Sequence, residues 1–400
     1  MSRYLGLRIG ERDTVISGIG RSAVGRKLGR TGLSLTVESC LQAIADAGLT
    51  RDDIDGLSTY PGLQDASPGM SPNGVSDVQD ALRLKLNWFS GGAETPAQLG
   101  AVFNAVAAVS AGFCNHVLVY RTVTESSAQT PTRRASVVGS GSARVGGFMQ
   151  WMAPFQAVSA ANWIGAYAQR YMHDFGLTKE QLGQIPLNQR RHAQRYDKAI
   201  MRDPLTMEQY LGARMISSPL GLYDCDIPCD GSAAVVVSRA DFAPDLPNVV
   251  RVEAIGSALT GRNSWDQRPD VTVSAAHDAA PMMWARTDLT PADVDTVQLY
   301  DGFSFLTITW LEALGFFPKG EAGPWLEAGE ARIGIGGELP LNTNGGQLSG
   351  GRLHGYGYLY EACAQLRGIA TGRQVEGAEV AVVAAGGGPL GGCMLLTKDR

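Results

Sequence analysis

Two stretches of this chain, TVESCLQAIADAGLTRDDIDGLSTY (36–60) and AHDAAPMMWARTDLTPADVDTVQLY (276–300), are related by a constant shift of 240 positions. Each reads as an amphipathic helix, a turn with the pattern Leu-Thr-x-x-Asp, and an apolar strand that ends in tyrosine. The residues shared by the two copies are Ala45 and Ala285, Leu49 and Leu289, Thr50 and Thr290, Asp53 and Asp293, Asp55 and Asp295, and Tyr60 and Tyr300. A repeat of this kind predicts a duplicated fold.

A second, looser correspondence supports the duplication. A predicted helix over 95–112 leads into the strand HVLVY (116–120), and a predicted helix over 356–372 leads into EVAVVAAGGG (379–388). Each half therefore alternates helices with short, Val-rich strands, which is typical of a mostly parallel sheet covered by helices on both faces. The sequence predicts an α/β protein of two pseudo-twofold-related αβαβα halves with mixed, mostly parallel sheets.

The predicted N-terminal half comprises 1–121 and 158–238, and the predicted C-terminal half comprises 249–400. The intervening residues 239–249 are rich in Pro and Asp and read as a linker. Residues 122–157 show neither helical nor alternating periodicity and are rich in Ser, Gly and Thr. Such a segment is either a long functional loop, a lid, or a disordered insertion.

Composition narrows the class of function. The 400-residue chain has 39 acidic and 34 basic residues and a formal charge of −5, with no basic field for nucleic acid or anionic lipid. No apolar run is long enough to span a bilayer, so we expect a cytoplasmic protein without membrane insertion. Its six cysteines are scattered and expected to be reduced. Cys225 and Cys229 lack a second ligand pair, so we expect no metal.

Five motifs follow one another along the chain: VISGIGRSAVGR, AGLTRDDIDGL, PLGLYDCDIPCDGSAAVVV, VQLYDGFSF with LEALGF, and NTNGGQLSGGR. In these motifs the chain resembles the thiolase superfamily, specifically the sterol-carrier-protein-type thiolases and their lipid-transfer-protein-like relatives. The resemblance extends over nearly the whole chain. It implies the thiolase fold, a homodimer and acyl-CoA substrates.

The thiolase catalytic motifs are altered. The region that carries the nucleophilic cysteine in such thiolases is NWFSGGAETPAQLG (87–100), which has no cysteine, and Ser90 and Thr95 lack the nucleophilicity of a thiolate. The His-Asp-Cys-Phe motif is Tyr300-Asp301-Gly302-Phe303, and Gly-His-Pro is Gly351-Arg352-Leu353. The Cys-x-Gly motif falls in AAGGGPLGG (384–392), again without cysteine. A covalent acyl-enzyme is therefore not expected.

One branch of the superfamily is similar in this respect, the steroid side-chain-cleaving aldolases. The resemblance implies a lyase that splits β-hydroxyacyl-CoA thioesters of sterol or bile-acid side chains into a ketone and a shorter acyl-CoA. It also implies a partner protein with an OB-fold and a zinc ribbon. No cofactor is implied for this chain, because coenzyme A arrives as part of the substrate.

A retro-aldol reaction needs a base, an acid and donors for the thioester oxygen. Tyr300, at a strand end, and Tyr356, beside the glycine-rich stretch SGGRLHGYG (349–357), are the candidate proton-transfer residues. Because a phenol has a pKa near 10, it needs a neighbouring cation or donor. Arg352 and His354 are the nearest such residues in sequence. Either one sets the ionisation of Tyr356 or donates to the thioester.

The remaining candidates have supporting roles. Asp301 either orients a base or caps the helix that starts near Phe303. Asn344 is a further donor to the thioester, and Gly351 and Gly387 leave room for it.

Each candidate also has a structural alternative. Tyr300 and Tyr356 read equally as packing residues and His354 as a turn residue, while Arg352 reads as the partner of an acidic side chain. The other histidines, His116, His173, His192 and His277, are expected to be structural or exposed. Arg133 and Arg134 are candidates for contact with CoA phosphates.

Two rival functions remain open. One is a true thiolase or acyltransferase with an unrecognised nucleophile, and the other is a non-catalytic acyl-CoA or sterol binder that scaffolds a partner enzyme.

Overall fold

A computed structural model of the chain describes residues 10–62, 68–92, 96–129, 146–147, 149–265 and 268–399. Within them the strands are β1 Thr14–Arg21, β2 Gly56–Thr59, β3 Trp88–Gly91, β4 His116–Thr124, β5 Met215–Ser217, β6 Leu220–Gly221, β7 Asp230–Arg239, β8 Val250–Gly256, β9 Thr296–Leu299, β10 Val380–Ala385 and β11 Gly392–Lys398. The α-helices are α1 Gly32–Asp46, α2 Val75–Leu82, α3 Gly100–Ser110, α4 Glu125–Ala128, α5 Met149–Met152, α6 Ala160–Phe175, α7 Lys179–Gln194, α8 Met207–Leu211, α9 Ala276–Trp284, α10 Ser304–Ala313, α11 Ala322–Leu326, α12 Glu330–Ile333 and α13 Tyr356–Leu366.

Nine of the described strands form one sheet in the order β3-β2-β4-β7-β1-β8-β11-β10-β9, and β5 and β6 form a separate pair. The order of the strands is mirrored about its centre, where β1 pairs with β8, so that β2 and β9, β4 and β10, and β7 and β11 occupy equivalent places. Leu57 of β2 pairs with Leu118 of β4, and Val297 of β9 pairs with Val382 of β10. Since 57 and 297 differ by 240, the predicted duplication is confirmed.

The sheet is mixed, as predicted, but antiparallel pairing predominates. Among the described strands, the ladders β2–β3, β2–β4 and β9–β10 are the parallel ones. The other five ladders, β1–β7, β1–β8, β4–β7, β8–β11 and β10–β11, are antiparallel. The expectation of a mostly parallel sheet therefore holds only for the outer strands. Val-rich runs indicate strands that are buried on both faces. Here helices cover both faces of the sheet although most neighbouring strands are antiparallel, so burial alone did not reveal the strand direction.

The repeated residues build equivalent turns in the two halves. Asp53 accepts a hydrogen bond from the backbone N–H of Thr50 at 2.7 Å, and Asp293 makes the same bond with the residue three positions before it at 2.8 Å. Asp55 accepts from the backbone N–H groups at the start of β4, and Asp295 accepts from those at the start of β10. The Thr–Asp turns thus depend on side chains close in sequence, whereas Asp55 and Asp295 tie each turn to a strand 61 and 85 positions away.

Five layers result from this arrangement. On β4, Val117 and Val119 pack with α3 and α13, whereas Leu118 and Tyr120 pack with α1 and α2. The C-terminal strands likewise alternate between α3 and α13 on one side and α9 and α10 on the other. Helices α3 and α13 are therefore a central layer between the two halves of the sheet, as expected for an αβαβα architecture.

Helices α6 and α7 lie in sequence within the predicted N-terminal half, yet they share a hydrophobic core with the C-terminal half. Of the predicted lid, 122–157, the first residues continue β4 to Thr124 and form α4, so the regular structure is longer than expected. Residues 130–145, including Arg133 and Arg134, lie outside the described residues. None of the described helices has the length and apolar character that crossing a bilayer requires.

Candidate active site

The glycine-rich stretch and the residues just before it lie beside α7 and lead into α13. A π-helical turn, Gly346–Gly350, is followed by a turn that ends where α13 begins at Tyr356. Gly346 and Gly351 have φ values of +58° and +120°, which disfavour any residue with a Cβ. A Cβ at Gly346 would lie 2.0 Å from Asp301 Oδ2. The glycines therefore let the backbone approach the Asp301 carboxylate closely.

Asp301, directly after the strand-ending Tyr300, is fully buried. Its Oδ1 accepts hydrogen bonds from the hydroxyl of Tyr358 and, at 2.7 Å, from the backbone N–H of Gln347. Burial raises the pKa of this carboxyl to about 6, against the hydrogen bonds that lower it. The helix-cap alternative is wrong, because α10 begins after Phe303 without a side-chain cap.

Tyr358 is the site tyrosine that the sequence analysis missed. Its hydroxyl donates to the Asp301 carboxylate and accepts from the Asp301 backbone N–H at 3.0 Å. Burial and the adjacent carboxylate raise the pKa of this phenol well above its ordinary value. With both hydrogen-bonding functions occupied, Tyr358 holds Asp301 in place rather than accepting a proton.

Tyr300 is partly buried, and its ring meets that of Tyr358 edge-on at 6.5 Å between centroids. A Cβ at Gly302 would lie 2.5 Å from the Tyr300 hydroxyl, so the glycine leaves space for the phenol. Burial lowers the pKa of the Arg352 guanidinium, but nearby acidic groups, including the Tyr300 phenol, raise it by more. Tyr300 thus lies within electrostatic reach of Arg352.

Tyr356 faces the other way. Residues two positions apart on an α-helix point in directions roughly 200° apart, so Tyr356 and Tyr358 occupy opposite faces of α13. The Tyr356 ring stacks on Tyr60 at 6.3 Å, and its buried hydroxyl has no hydrogen-bond partner among the described residues. Burial raises the pKa of this phenol, and Arg121 lowers it. The expected tuning cation, Arg352 or His354, is therefore replaced by Arg121, which is remote in sequence.

Arg352 is committed to two carboxylates. Its guanidinium bonds both oxygens of Glu125, at 2.8 and 2.9 Å, and Asp226 Oδ1 at 2.9 Å. The two carboxylates are nearly inaccessible, with exposed side-chain fractions of 3% and 8%. The alternative in which Arg352 pairs with acidic side chains is thus the one that the structure shows.

This cluster predicts a pH dependence of stability. Burial, opposed by Arg352 and reinforced by Glu125 and Asp301, raises the pKa of Asp226 to about 7 from an ordinary value of 3.8. The folded state therefore holds a proton that the unfolded state has lost, and the free energy of unfolding decreases as pH rises between these values.

Between about pH 5 and about pH 8, the wild type is expected to lose on the order of 2 kcal/mol more stability than Asp226→Asn. Urea unfolding at the two pH values measures this difference. The exposed Asp174→Asn variant serves as control and should follow the wild type. Equal slopes for Asp226→Asn and the wild type would contradict the assignment.

His354 is buried, with a φ of +46°. Its Nδ1 lies 2.9 Å from Arg121 Nη2, and its backbone N–H donates to Gln347 Oε1 at 2.9 Å. Burial and the charges of Arg121 and Arg352 hold the pKa of the imidazole well below its usual range. His354 is therefore neutral at physiological pH.

Asn344 uses its side chain within the turn, donating to Gly357 O at 3.2 Å and accepting from the Gly346 backbone N–H at 3.0 Å. Its predicted role as a donor to the thioester thus competes with a structural one. Gly387 lies beyond the end of β10, where a Cβ would lie 2.8 Å from Leu306. Packing against Leu306 alone explains this glycine.

The other histidines have structural partners or are exposed. His116 bonds Ser238 Oγ at 2.8 Å, His192 bonds Asn342 O at 3.2 Å, and His277 lies 3.3 Å from a Glu312 oxygen. The side chain of His173 is 81% exposed.

Two thiols lie near the described part of the site: that of Cys229, which donates to Arg352 O at 3.3 Å, and that of Cys225, whose backbone pairs with that of Phe303. Burial raises the pKa of both Cys229 and Cys225 to about 12, and a protonated thiol is a poor nucleophile. Ser90 lies on β3, and Thr95 is outside the described residues. The chemistry that this site supports is acid–base chemistry.

The chain is similar in sequence to several known proteins. The family described as "Thiolase C-terminal domain-like" matches residues 257–395. A steroid side-chain-cleaving aldolase of Thermomonospora curvata is 33% identical over 96% of this chain and 98% of its own length. A 17-hydroxy-3-oxo-4-pregnene-20-carboxyl-CoA lyase of Mycobacterium tuberculosis is 34% identical over 96% of this chain and 99% of its own length.

Solved structures agree with the fold. An "Ltp2-ChsH2(DUF35) aldolase" superposes with a TM-score of 0.85 and 31% identity, covering 97% of this chain and 98% of that one. Human mitochondrial 3-ketoacyl-CoA thiolase superposes with a TM-score of 0.67, covering 98% and 100% of the two chains. At 13% identity the latter is informative about the fold alone.

Proposed function

Because the chain belongs to the thiolase superfamily, in its branch of steroid side-chain-cleaving aldolases, we propose that it cleaves a steroid β-hydroxyacyl-CoA to a ketone and a shorter acyl-CoA. Identity above 30% over nearly the full length of two such relatives is the observation that carries this proposal. The loss of every thiolase cysteine in the matching motifs agrees with it.

The name of the Mycobacterium tuberculosis relative defines the chemistry of its substrate. Its hydroxyl is on carbon 17 and its thioester is attached to carbon 20, so the hydroxyl is β to the thioester. Removal of the hydroxyl proton forms a 17-ketone as the bond between the two carbons breaks. The electron pair passes to the thioester as an enolate, whose α-carbon then takes a proton to give propionyl-CoA. We propose the same class of substrate for this chain.

We propose that Tyr300 and Tyr356 transfer the two protons. Tyr300 lies near the partly buried Arg352 and Tyr356 near the buried Arg121, and a cation favours the phenolate. We propose that Asp301, which Tyr358 holds in place, orients Tyr300. The reaction balances with proton transfers and hydrogen-bond donors alone, so we propose that coenzyme A enters only as part of the substrate.

The two tyrosine roles are separable by isotope exchange. Incubation of the enzyme with propionyl-CoA in deuterated water reports only protonation at the α-carbon. If Tyr300→Phe or Tyr356→Phe lowers exchange by about 10²–10⁴-fold, the tyrosine replaced in that variant is the acid, and the other variant should retain exchange while losing cleavage. Full exchange in both variants would contradict tyrosine acid catalysis.

The assembly is also a proposal. We propose a cytoplasmic homodimer that works with a partner containing an OB-fold and a zinc ribbon, since the similar solved aldolase contains a DUF35 component. Strand β3 lies at one edge of the sheet, and its Phe89 is 66% exposed. An open edge strand with an exposed aromatic side chain supports pairing with a second copy.

The direct test is an assay of the chain, co-expressed with a DUF35-type partner, on 17-hydroxy-3-oxo-4-pregnene-20-carboxyl-CoA. We expect equal amounts of 17-ketosteroid and propionyl-CoA. Tight binding of the substrate without product would favour the scaffold alternative. Mass spectrometry of the enzyme after incubation with acyl-CoA should show no added acyl group, and a stable adduct on any side chain would favour the thiolase alternative.

A further inference from the structure

A small cavity lies at the glycine-rich turn. Gln347, His354, Tyr358 and Arg21 are among the residues that line it. Its volume is about 10 Å³, which is room for one water molecule or one oxygen atom. The chemistry of its walls therefore decides what that atom can be.

Gln347 presents an unused donor to this region. Its Oε1 accepts from the backbone N–H of His354 at 2.9 Å, which fixes the orientation of the amide, because a backbone N–H only donates. The buried Nε2 has no hydrogen-bond acceptor among the described residues. Buried polar groups are rarely left without a partner, so this amide is poised for an acceptor that comes from outside the chain.

His354 is held as a second donor. A guanidinium has no acceptor, so the 2.9 Å contact with Arg121 Nη2 makes His354 Nδ1 the acceptor. A neutral ring with Nδ1 occupied in this way carries its proton on Nε2. His354 can therefore donate through Nε2, but it offers no lone pair for a base.

Two buried arginines lie near these donors without a compensating carboxylate: Arg21 lines the cavity, and Arg121 contacts His354. Arg21 bonds Tyr196 Oη at 2.5 Å and Gly350 O at 3.5 Å. Arg121 bonds Thr122 O and His354 and lies over the Tyr60 ring. Neither forms an ion pair with a carboxylate of the described residues, in contrast to Arg352. The positive charge favours an acceptor that becomes negative.

We propose that this cavity receives the thioester oxygen of the substrate, with Gln347 Nε2 and His354 Nε2 donating to it as the enolate forms. Arg121 is then a positioning residue, since it acts through the tautomer of His354. The inference rests on the retro-aldol function proposed above and identifies where its developing charge is bound.

The kinetic test is Gln347→Met, which keeps the length of the side chain but removes the donor. We expect kcat to fall about 10²–10³-fold with little change in KM, as for the loss of one oxyanion donor. Gln298→Met is the matched control, because Gln298 is buried but bonds Thr296 and Thr343 instead. Equal losses in the two variants, or no loss in Gln347→Met, would overturn the proposal.

A binding test needs no turnover. S-propyl-CoA, the thioether analogue of propionyl-CoA, has a CH₂ group in place of the carbonyl and so lacks the thioester oxygen. Calorimetry should give the wild type about tenfold higher affinity for the thioester, and Gln347→Met should bind both equally. Equal affinities in the wild type would mean that the cavity holds water only, and a preference that survives in Gln347→Met would exclude Gln347 as the donor.

The tautomer of His354 can be read directly. The chain has five histidines, so ¹⁵N-histidine labelling and loss of one signal in His354→Gln assign its resonances. We expect a protonated Nε2 and an unprotonated Nδ1 in the wild type, and a mixture of tautomers in Arg121→Met. A protonated Nδ1 in the wild type would refute the positioning role.

These readouts separate the two proposals. If the wild type with its partner cleaves no substrate, but the thioester preference and the tautomer are as expected, the cavity assignment stands and the proposed function fails. If cleavage proceeds normally in Gln347→Met, the function stands and the cavity assignment fails.

Discussion

Tyr300→Phe is expected to lower kcat for steroid side-chain cleavage by about 10²–10⁴-fold, the range typical of a lost general acid or base. The variant keeps the ring that packs against Tyr358 and removes only the hydroxyl beside Gly302 and near Arg352. Because the lost group acts in proton transfer rather than in binding, KM should change little. Steady-state assays of ketone release, with the partner present, measure both constants.

The control for Tyr300→Phe is Tyr171→Phe. Tyr171 is also largely buried, and its hydroxyl donates to Glu312 at 2.7 Å, among the helices that cover the C-terminal core. Its removal should lower stability while leaving kcat near that of the wild type. Activity of Tyr300→Phe within about threefold of the wild type would exclude the phenol from the proton transfers, given the 10²-fold minimum for such a role.

Arg352→Met is expected to destabilise the folded protein by about 3–5 kcal/mol, because it leaves Glu125 and Asp226 buried without their cation. Urea unfolding at neutral pH measures the loss. Arg352→Lys should recover part of it, since an ammonium restores the charge but not the two-pronged contact with Glu125.

Arg83→Met is the matched control for the arginine prediction. Arg83 pairs with Asp80 on the surface, with exposed side-chain fractions of 75% and 74%, and its loss should cost less than about 1 kcal/mol. Combining Arg352→Met with Glu125→Gln should recover stability relative to Arg352→Met alone. If Arg352→Met unfolds like the wild type and raises only KM, then Arg352 binds substrate rather than holding the site together.

Local patterns in the sequence were enough to predict the duplicated fold and the absence of a thiolase nucleophile. The turn residues Thr50 and Asp53, like their counterparts 240 positions later, bond each other across three positions of the chain. Such spacing-dependent signals can be read without coordinates. The missing cysteine and the tyrosine at position 300 are likewise facts of sequence.

Helical geometry explains one limit of the prediction. From the sequence, Tyr356 is the site candidate in the run that opens α13, but the residue that reaches Asp301 is Tyr358, on the opposite face of that helix. Which face meets Tyr300 depends on how α13 sits in the central layer, and the packing of both halves of the sheet decides this. The Asp301–Tyr358 contact spans 57 positions and has no local signal.

Thus the repeat, the turn chemistry and the absent nucleophile followed from residues near one another in the chain. The partners of the buried charges did not, because Arg352 and Glu125 are 227 positions apart, and Arg121 and His354 are 233 apart. Burial makes a charge costly unless a partner reaches it, and only the folded chain brings such partners within hydrogen-bond distance. Tertiary structure therefore decided which candidates are structural ion pairs and which donors remain for a substrate.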